Sequence, residues 1–387
     1  MRQERIPAVF MRGGTSKAVI FRREHLPEDQ SAWAPIFLAV MGSPDPNGRQ
    51  LDGMGGGISS LSKVCVVAPP SRPDADVDFT FAQVSISDGS VDFSGNCGNM
   101  SSAIGPYAFD EGLVTSGQAN GECVVRIHNT NTHKIIRSRF PVVDGLAAVD
   151  GDLRIDGVAG TGAPIRLDFM HPGGARTGKL LPTGNGIDRL TLPDGTVIEA
   201  SLVDAANPSV FVRAEAVGLT GSELPDALER DHALMTRLED IRCAGAVAMG
   251  TAADVAAAAR AAAQPKVAAV SAPRASRTLS GATLAASDHD IAIRMISVGQ
   301  PHRAVPLTGA LCLAAACRVP GSIPNLLVRG ARPALPETLR IGHPSGTILV
   351  SAKVEAGDIE FASVFRTARR LFEGTVLYRS SAGPDRT

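Results

Sequence analysis

No block of like charge interrupts this sequence: 38 lysines and arginines nearly cancel 39 aspartates and glutamates, for a formal net charge of −1. That balance argues against a nucleic-acid or membrane surface and leaves a small molecule as the expected partner. No apolar run reaches bilayer length, since Ala244 to Ala263 is broken by Asp254 and Arg260, and Leu311 to Cys317 is too short. The opening MRQERIPAVFMRGG has no apolar run followed by a cleavage site, so export is not expected. The six cysteines form no CxxC pair, and the histidines show no metal spacing. A reducing cytoplasm is the expected compartment, with no metal and no cofactor. GxSxG, HExxH and a strand-borne GxGxxG are missing too, which ranks hydrolase, metalloenzyme and dehydrogenase chemistry low.

Apolar residues at 44% and charged residues at 20% describe a globular chain with a substantial core. A length of 387 residues exceeds the roughly 250–300 at which one core stops growing, so two domains are expected. Short β-type runs recur at Ala8–Phe10, Lys17–Phe21, Val64–Val67, Val77–Ile86, Val124–His128, Ile135–Phe140, Ile165–Met170, Val210–Val212, Ile291–Ser297 and Thr347–Val354. Helix signals are fewer: Leu26–Met41, a segment opening at Gly98, Leu224–Ala246, Ala253–Ala263, the segment after Thr308, and Ala362–Phe372. Strands arrive in runs instead of alternating with helices, which predicts an α+β fold.

An internal echo sharpens this. Val9-Phe-Met-Arg-Gly-Gly-Thr-Ser-Lys-Ala-Val-Ile and Val203-Asp-Ala-Ala-Asn-Pro-Ser-Val-Phe-Val both read as strand, polar loop, strand. Later in each half a small-residue turn feeds an apolar helix, at Gly95-Asn-Cys-Gly-Asn-Met and at Pro306-Leu-Thr-Gly-Ala-Leu. A duplicated domain is therefore expected, 1–184 and 185–387, with the boundary at Gly184-Asn-Gly and the C-terminal segment free to pack back on the first half.

Cys97 stands between Gly- and Asn-containing dipeptides at a helix N-terminus, where free amides and the helix dipole favour an anion. The bland alternative is a buried, inert cysteine, the expected state of Cys65, Cys123, Cys243, Cys312 and Cys317. Asn96, Gly98, Asn99 and Met100 complete that turn. Lys63 ends the run Gly53-Met-Gly-Gly-Gly-Ile-Ser-Ser-Leu-Ser-Lys, whose glycine amides and whose Ser60 and Ser62 hydroxyls suit a carboxylate cradle. Leading into the apolar Val64-Cys-Val-Val, this lysine is placed for partial desolvation, which makes an amine usable as a base; a solvated strand-end lysine is the alternative. Arg12, Thr15, Ser16 and Lys17 form a second Gly-rich loop able to clamp a carboxylate. His302, Arg303, Thr308 and Gly309, with Ser345, add small residues, hydroxyls and cations in the second half, giving the inventory of an anion site shared between the halves.

Arg12-Gly-Gly-Thr-Ser-Lys, Gly42-Ser-Pro-Asp-Pro-Asn-Gly-Arg-Gln-Leu-Asp-Gly-Met-Gly-Gly, Ser60-Leu-Ser-Lys, Ser94-Gly-Asn-Cys-Gly-Asn, Pro182-Thr-Gly-Asn and Gly342-His-Pro-Ser-Gly-Thr together resemble the PrpF family, over about residues 5 to 375. That family comprises 2-methylaconitate cis-trans isomerases and related methylitaconate, aconitate and 4-oxalomesaconate isomerases. The resemblance implies a diaminopimelate-epimerase-like fold: two similar domains, each a rolled, mostly antiparallel sheet around a central helix, with the active site in the cleft between them. It also implies that Lys63 and Cys97 are the catalytic groups. The second-half counterpart of Cys97 falls at Thr308, so a symmetric thiol pair is missing and inversion at a saturated carbon is disfavoured. The expected activity is cofactor-independent isomerisation of a methylaconitate-like tricarboxylate, with 4-oxalomesaconate, methylitaconate or aconitate as alternatives. A polycarboxylate-binding protein without turnover would keep the cradles yet have no use for Lys63 or Cys97. Oligomeric state is left open, a homodimer included.

Overall fold

The structure, a computed structural model, describes residues 3–114, 119–330, 335–355 and 357–379. Contacts divide the chain into two compact units, Met1–Asp168 with Phe365–Thr387, and Phe169–Val364. The division falls before the Gly184 turn, and the last strand of the chain belongs to the first unit.

The first unit opens with a hairpin, β1 (Gln3–Gly13) and β2 (Ser16–Arg22), turned tightly enough that Gly13 pairs with Ser16. β2 runs parallel to β3 (Lys63–Ala68), which pairs antiparallel with β4 (Val77–Val84). β4 runs parallel to β5 (Gly121–Asn129), and β5 is antiparallel to β6 (Lys134–Val143). Parallel neighbours require crossovers, and helices supply them: α1 (Trp33–Met41) between β2 and β3, α2 (Gly98–Asp110) between β4 and β5.

Strand alternation gives this sheet two apolar faces. On one face Val19, Phe21, Val64, Val66, Ala82 and Val84 pack against Trp33, Phe37, Val40 and Met41 of α1. Phe37 stacks on Phe21 with ring centroids 5.9 Å apart, and truncating so buried a ring costs about 3–5 kcal/mol. The other face meets α2, whose residues Met100 through Ala108 are all buried. A helix buried on every side over that stretch has no solvent face there, and α2 accordingly packs against β1, β2 and β3 as well as β5 and β6.

The second unit repeats this order of elements. β7 (Val197–Ala205) and β8 (Asn207–Arg213) form the hairpin, α3 (His232–Ala248) follows, and β8 runs parallel to β9 (Lys266–Ser271). β9 is antiparallel to β10 (Ile291–Ser297), α4 (Leu307–Arg318) follows, and β10 runs parallel to β11 (Thr338–His343). β12 (Gly346–Glu355) closes the series antiparallel to β11. α3 covers Val210, Val212, Val267, Ala269 and Ile296, while Gly309 through Cys317 of α4 are buried. The α+β class expected from the sequence is what the chain adopts.

One helix expectation fails. Ala362–Phe372 lies in two strands, Asp358–Arg366 and Ala368–Arg379, the second paired along β1 from Gln3 to Gly13. Ala, Arg and Leu favour a helix locally, but a ladder running the length of β1 gives that segment long-range backbone partners, and pairing overrides propensity. The Leu26–Met41 signal yields an α-helix only from Trp33 onward, after two short 3-10 turns.

Candidate active site

Lys63 is the first residue of β3, 7% exposed, on the α2 side of the sheet, because Val64 and Val66 take the α1 side. Its ammonium donates to Oε1 of Gln83, its cross-strand partner on β4, and lies 5.0 Å from the centroid of the Phe81 ring. Gln83 spends its own amide on the carbonyls of Ser59 and Ser62, at 3.0 and 2.8 Å, which holds Oε1 toward the lysine. Two residues along the same face, burial pushes the Cys65 thiol well up. Cys97 adds to that rise and Lys63 opposes it, so both groups lie within electrostatic range of one sulfur.

Cys97 caps the N-terminus of α2 in extended conformation and is half-buried, whereas the five other cysteines are buried. No side chain caps this helix; the Ser101 amide and hydroxyl both donate to the Cys97 carbonyl, at 2.9 and 3.1 Å. The first-turn amides of Gly98, Asn99 and Met100 have no intrahelical acceptors, which makes that end a receptor for negative charge. The Asn99 side chain bridges two segments: Nδ2 donates to Thr15 Oγ1 at 3.1 Å, and Oδ1 accepts from Arg366 Nε at 3.0 Å. Arg366 also donates to the Phe365 carbonyl, and burial draws its guanidinium down to about 10 while Cys97 opposes the fall. It therefore remains a cation at neutral pH. Gly14, at φ +52°, closes the hairpin against Asn99; a Cβ there would stand 2.2 Å from Asn99 Oδ1.

Several residues expected to touch ligand do other work. Arg12 donates to the carbonyls of Gly14 and Thr367, both at 2.9 Å, and so braces the hairpin. Lys17 lies 5.5 Å from the Phe10 ring, on the α1 side with Arg12, away from the face bearing Lys63. Ser62 gives its hydroxyl to the Val84 carbonyl and accepts from Gln50, at 2.9 and 2.7 Å. Met100 is 0% exposed, a core residue whose only polar offering is its amide. Ser16 is buried at the hairpin end, Ser60 is half-buried in the 3-10 turn Ser59–Leu61, and Asn96 accepts from Ser101 Oγ at 3.3 Å. The long Gly-rich segment before Lys63 is scaffolding: Asp45 accepts from the amides of Asn47, Arg49 and Gln50, and Gln50 ties Ser43 to Ser62.

In the second unit, Thr308 is half-buried and Gly309 buried in the first turn of α4, which also lacks a side-chain cap. No cysteine stands at that helix start, since Cys312 and Cys317 are buried farther along. Burial lowers the His302 pKa, and its Nδ1 accepts from the Ala304 amide at 3.1 Å. Arg303 is exposed and paired with Asp226, and its carbonyl accepts from Ser345 Oγ at 2.6 Å. Among the described residues no three His, Cys, Asp or Glu side chains gather as a metal site, and no helix is long and apolar enough to cross a membrane.

Sequence reasoning overlooked Gln83 and Arg366. Gln83 was findable in principle as the cross-strand partner of Lys63 once β3 and β4 were registered. Arg366 was not, because 267 positions separate it from Asn99 and no local pattern marks it.

The PrpF protein family model matches residues 3–379. The chain is 43% identical over 376 residues to a 3-methylitaconate isomerase of Eubacterium barkeri, covering 97% of each chain. It is 41% identical over 387 residues to a 2-methyl-aconitate isomerase of Cupriavidus necator, again covering 97% of each. A crystal structure of methylitaconate-delta-isomerase superimposes with a TM-score of 0.92 at 42% identity, covering 100% of this chain and 99% of the other.

Proposed function

The chain belongs to the PrpF family, and from that membership we propose that it isomerises an unsaturated tri- or dicarboxylate by moving one allylic proton, with Lys63 as base and Cys97 as the second proton-handling group. The carrying observation is a charge imbalance. Lys63 is satisfied by an amide, and Arg366 by an amide and a carbonyl. Neither is ion-paired to a carboxylate among the described residues. Partly buried cations without counter-ions favour a polyanion, and uncapped α2 amides add to that field.

In the proposed reaction the Lys63 amine removes a proton from the carbon next to the double bond. The C–H electron pair enters a dienolate whose charge spreads onto carboxylate oxygens, where the α2 amides and the cations stabilise it. While the former double bond has single-bond character it can rotate. Return of the proton to the original carbon gives a cis-trans isomer; return two carbons away shifts the double bond. Among substrates, a 2-methylaconitate-like tricarboxylate undergoing cis-trans isomerisation is favoured here. The 3-methylitaconate type of shift is the other outcome of the same intermediate.

Incubation in deuterated water with a panel of unsaturated di- and tricarboxylates, followed by proton NMR, tests this. The wild type exchanges the allylic hydrogen of its substrate, and Lys63→Met loses that exchange by at least about a thousandfold, the combined weight of a base and its positioning. Undiminished exchange in Lys63→Met would remove the lysine from the chemistry.

A further inference from the structure

The strand Ala368–Arg379 is an outer edge of the first unit's sheet. It pairs with β1 from Gln3 to Gly13, and among the described residues no other strand shares rungs with it. Every residue from Leu371 to Thr375 is exposed, on both faces of the strand. Leu371, Phe372 and Leu377 each keep nearly half of their surface in water. A bare edge of 12 residues is a template for another strand, and sheets commonly blunt such edges with proline, lysine or a bulge. Neither proline nor lysine occurs here. The bulge between Phe10 and Met11 disturbs the strand only around Leu371, leaving Phe372–Arg379 in unbroken register with β1.

That segment is complementary to itself. In an antiparallel pair of two copies with the two-fold axis through Val376, Glu373 lies opposite the partner's Arg379 and Arg379 opposite the partner's Glu373. Leu377 then meets the partner's Thr375 on the same face. On the other face the partner's Tyr378 stands over Gly374, and the two copies of Val376 meet at the axis. Opposite charges on one rung, and an aromatic ring over a glycine, are stabilising cross-strand pairs. Charge marks the register: an axis at Thr375 sets Glu373 against Leu377, and an axis at Glu373 brings two carboxylates together.

Both charged groups are free to take these partners. The Glu373 and Arg379 side chains are 69% and 73% exposed. Arg379 stands 3.8 Å from a similarly exposed Asp52, and Glu373 holds Arg370 at 2.8 Å, a cation that also keeps Glu111. Exposed pairs of this kind contribute little and exchange readily.

We propose that two copies of this chain associate through the outer edge of Ala368–Arg379, antiparallel and centred on Val376, so that the sheets of the two first units become continuous. Main-chain hydrogen bonds between the edges hold the copies together, and the Glu373–Arg379 pairs fix the register of an isologous interface. The association is independent of the proton chemistry above, since none of these residues belongs to the candidate active site.

Sedimentation equilibrium of the full chain, with hydrogen exchange measured at high and low concentration, tests this. The wild type is a dimer at about 100 micromolar, and the outward amides of 372–379 exchange at least about tenfold more slowly there than after dilution to the monomer. Glu373→Arg and Arg379→Glu each weaken the dimer by about tenfold or more. Combining the two reversals returns the affinity to within a few-fold of the wild type, because opposite charges face each other again. The exchange measurement needs no variant, so it decides even where a substitution impairs folding. A wild type that stays monomeric at that concentration overturns the proposal. A dimer whose 372–379 amides gain no protection, or whose affinity ignores both single reversals, overturns it as well.

Discussion

Gln83 holds Lys63: the glutamine Oε1 accepts the lysine ammonium across the β3–β4 ladder, and its Nε2 is tied to the carbonyls of Ser59 and Ser62. An amide partner orients the amine without adding charge. Gln83→Glu places a carboxylate there that ion-pairs the lysine and opposes proton transfer to it, so deuterium exchange at neutral pH falls about tenfold or more. Gln83→Leu removes the orienting bond and lowers kcat about tenfold. Wild-type exchange in both variants removes Gln83 from the positioning of the amine.

Cys97 is the half-buried thiol, and the other five are buried. Iodoacetamide at neutral pH therefore alkylates one cysteine per chain rapidly, identified as Cys97 by peptide mass mapping, and the rest only after unfolding. Saturating tricarballylate slows that reaction. Cys97→Ala is expected to lose exchange by about a hundredfold or more, in the range for a positioned proton-transfer group. Fast labelling at any of the buried positions contradicts the packing described here.

Gly14 is held in the left-handed region with its α-carbon against Asn99. Gly14→Ala meets both a backbone penalty, about 1–3 kcal/mol, and the Asn99 side chain. Displacing Asn99 releases Thr15 and Arg366 together. The variant is expected to lose about that stability in urea unfolding and, separately, at least tenfold in kcat. Asn99→Ala reproduces the kinetic loss without the backbone strain.

His289 is buried, with its Nδ1 toward the Ala285 carbonyl and its ring against Gly342. Burial lowers its pKa, and the Ala285 carbonyl only partly opposes that. Below about pH 6.5 the unfolded chain accepts a proton that the folded imidazole refuses. Stability is thus unaffected above that pH and falls as pH drops toward the folded-state value. Urea midpoints measured from pH 7.5 to 5 decline more steeply for the wild type than for His289→Gln, which has nothing to titrate. Parallel slopes assign the acid sensitivity elsewhere.

Cys97 at a helix start and Lys63 at a strand start were readable because both signals are local: glycines and asparagines flank the thiol, and an apolar run follows the lysine. The β1–β2 turn was readable for the same reason. Arg12, Lys17 and Ser62 carry the right chemistry for anion binding, yet alternation turns the first two to the α1 side, and Ser62 is buried with its hydroxyl given to the Val84 carbonyl. Polarity along a chain does not say which face of a sheet a residue joins until register is known. The Ala362–Phe372 segment shows the same limit from the other side, a helix-favouring composition captured by a strand ladder along β1.

The sequence by itself determined which chemistry the chain carries: an amine, a thiol and Gly-rich turns, placed by propensities that act over a few residues. Only the tertiary structure decided how those groups are held. The amide that orients Lys63 and the cation that reaches Asn99 from 267 positions away both depend on strand pairing, and pairing is a contest among distant segments that no local preference can settle.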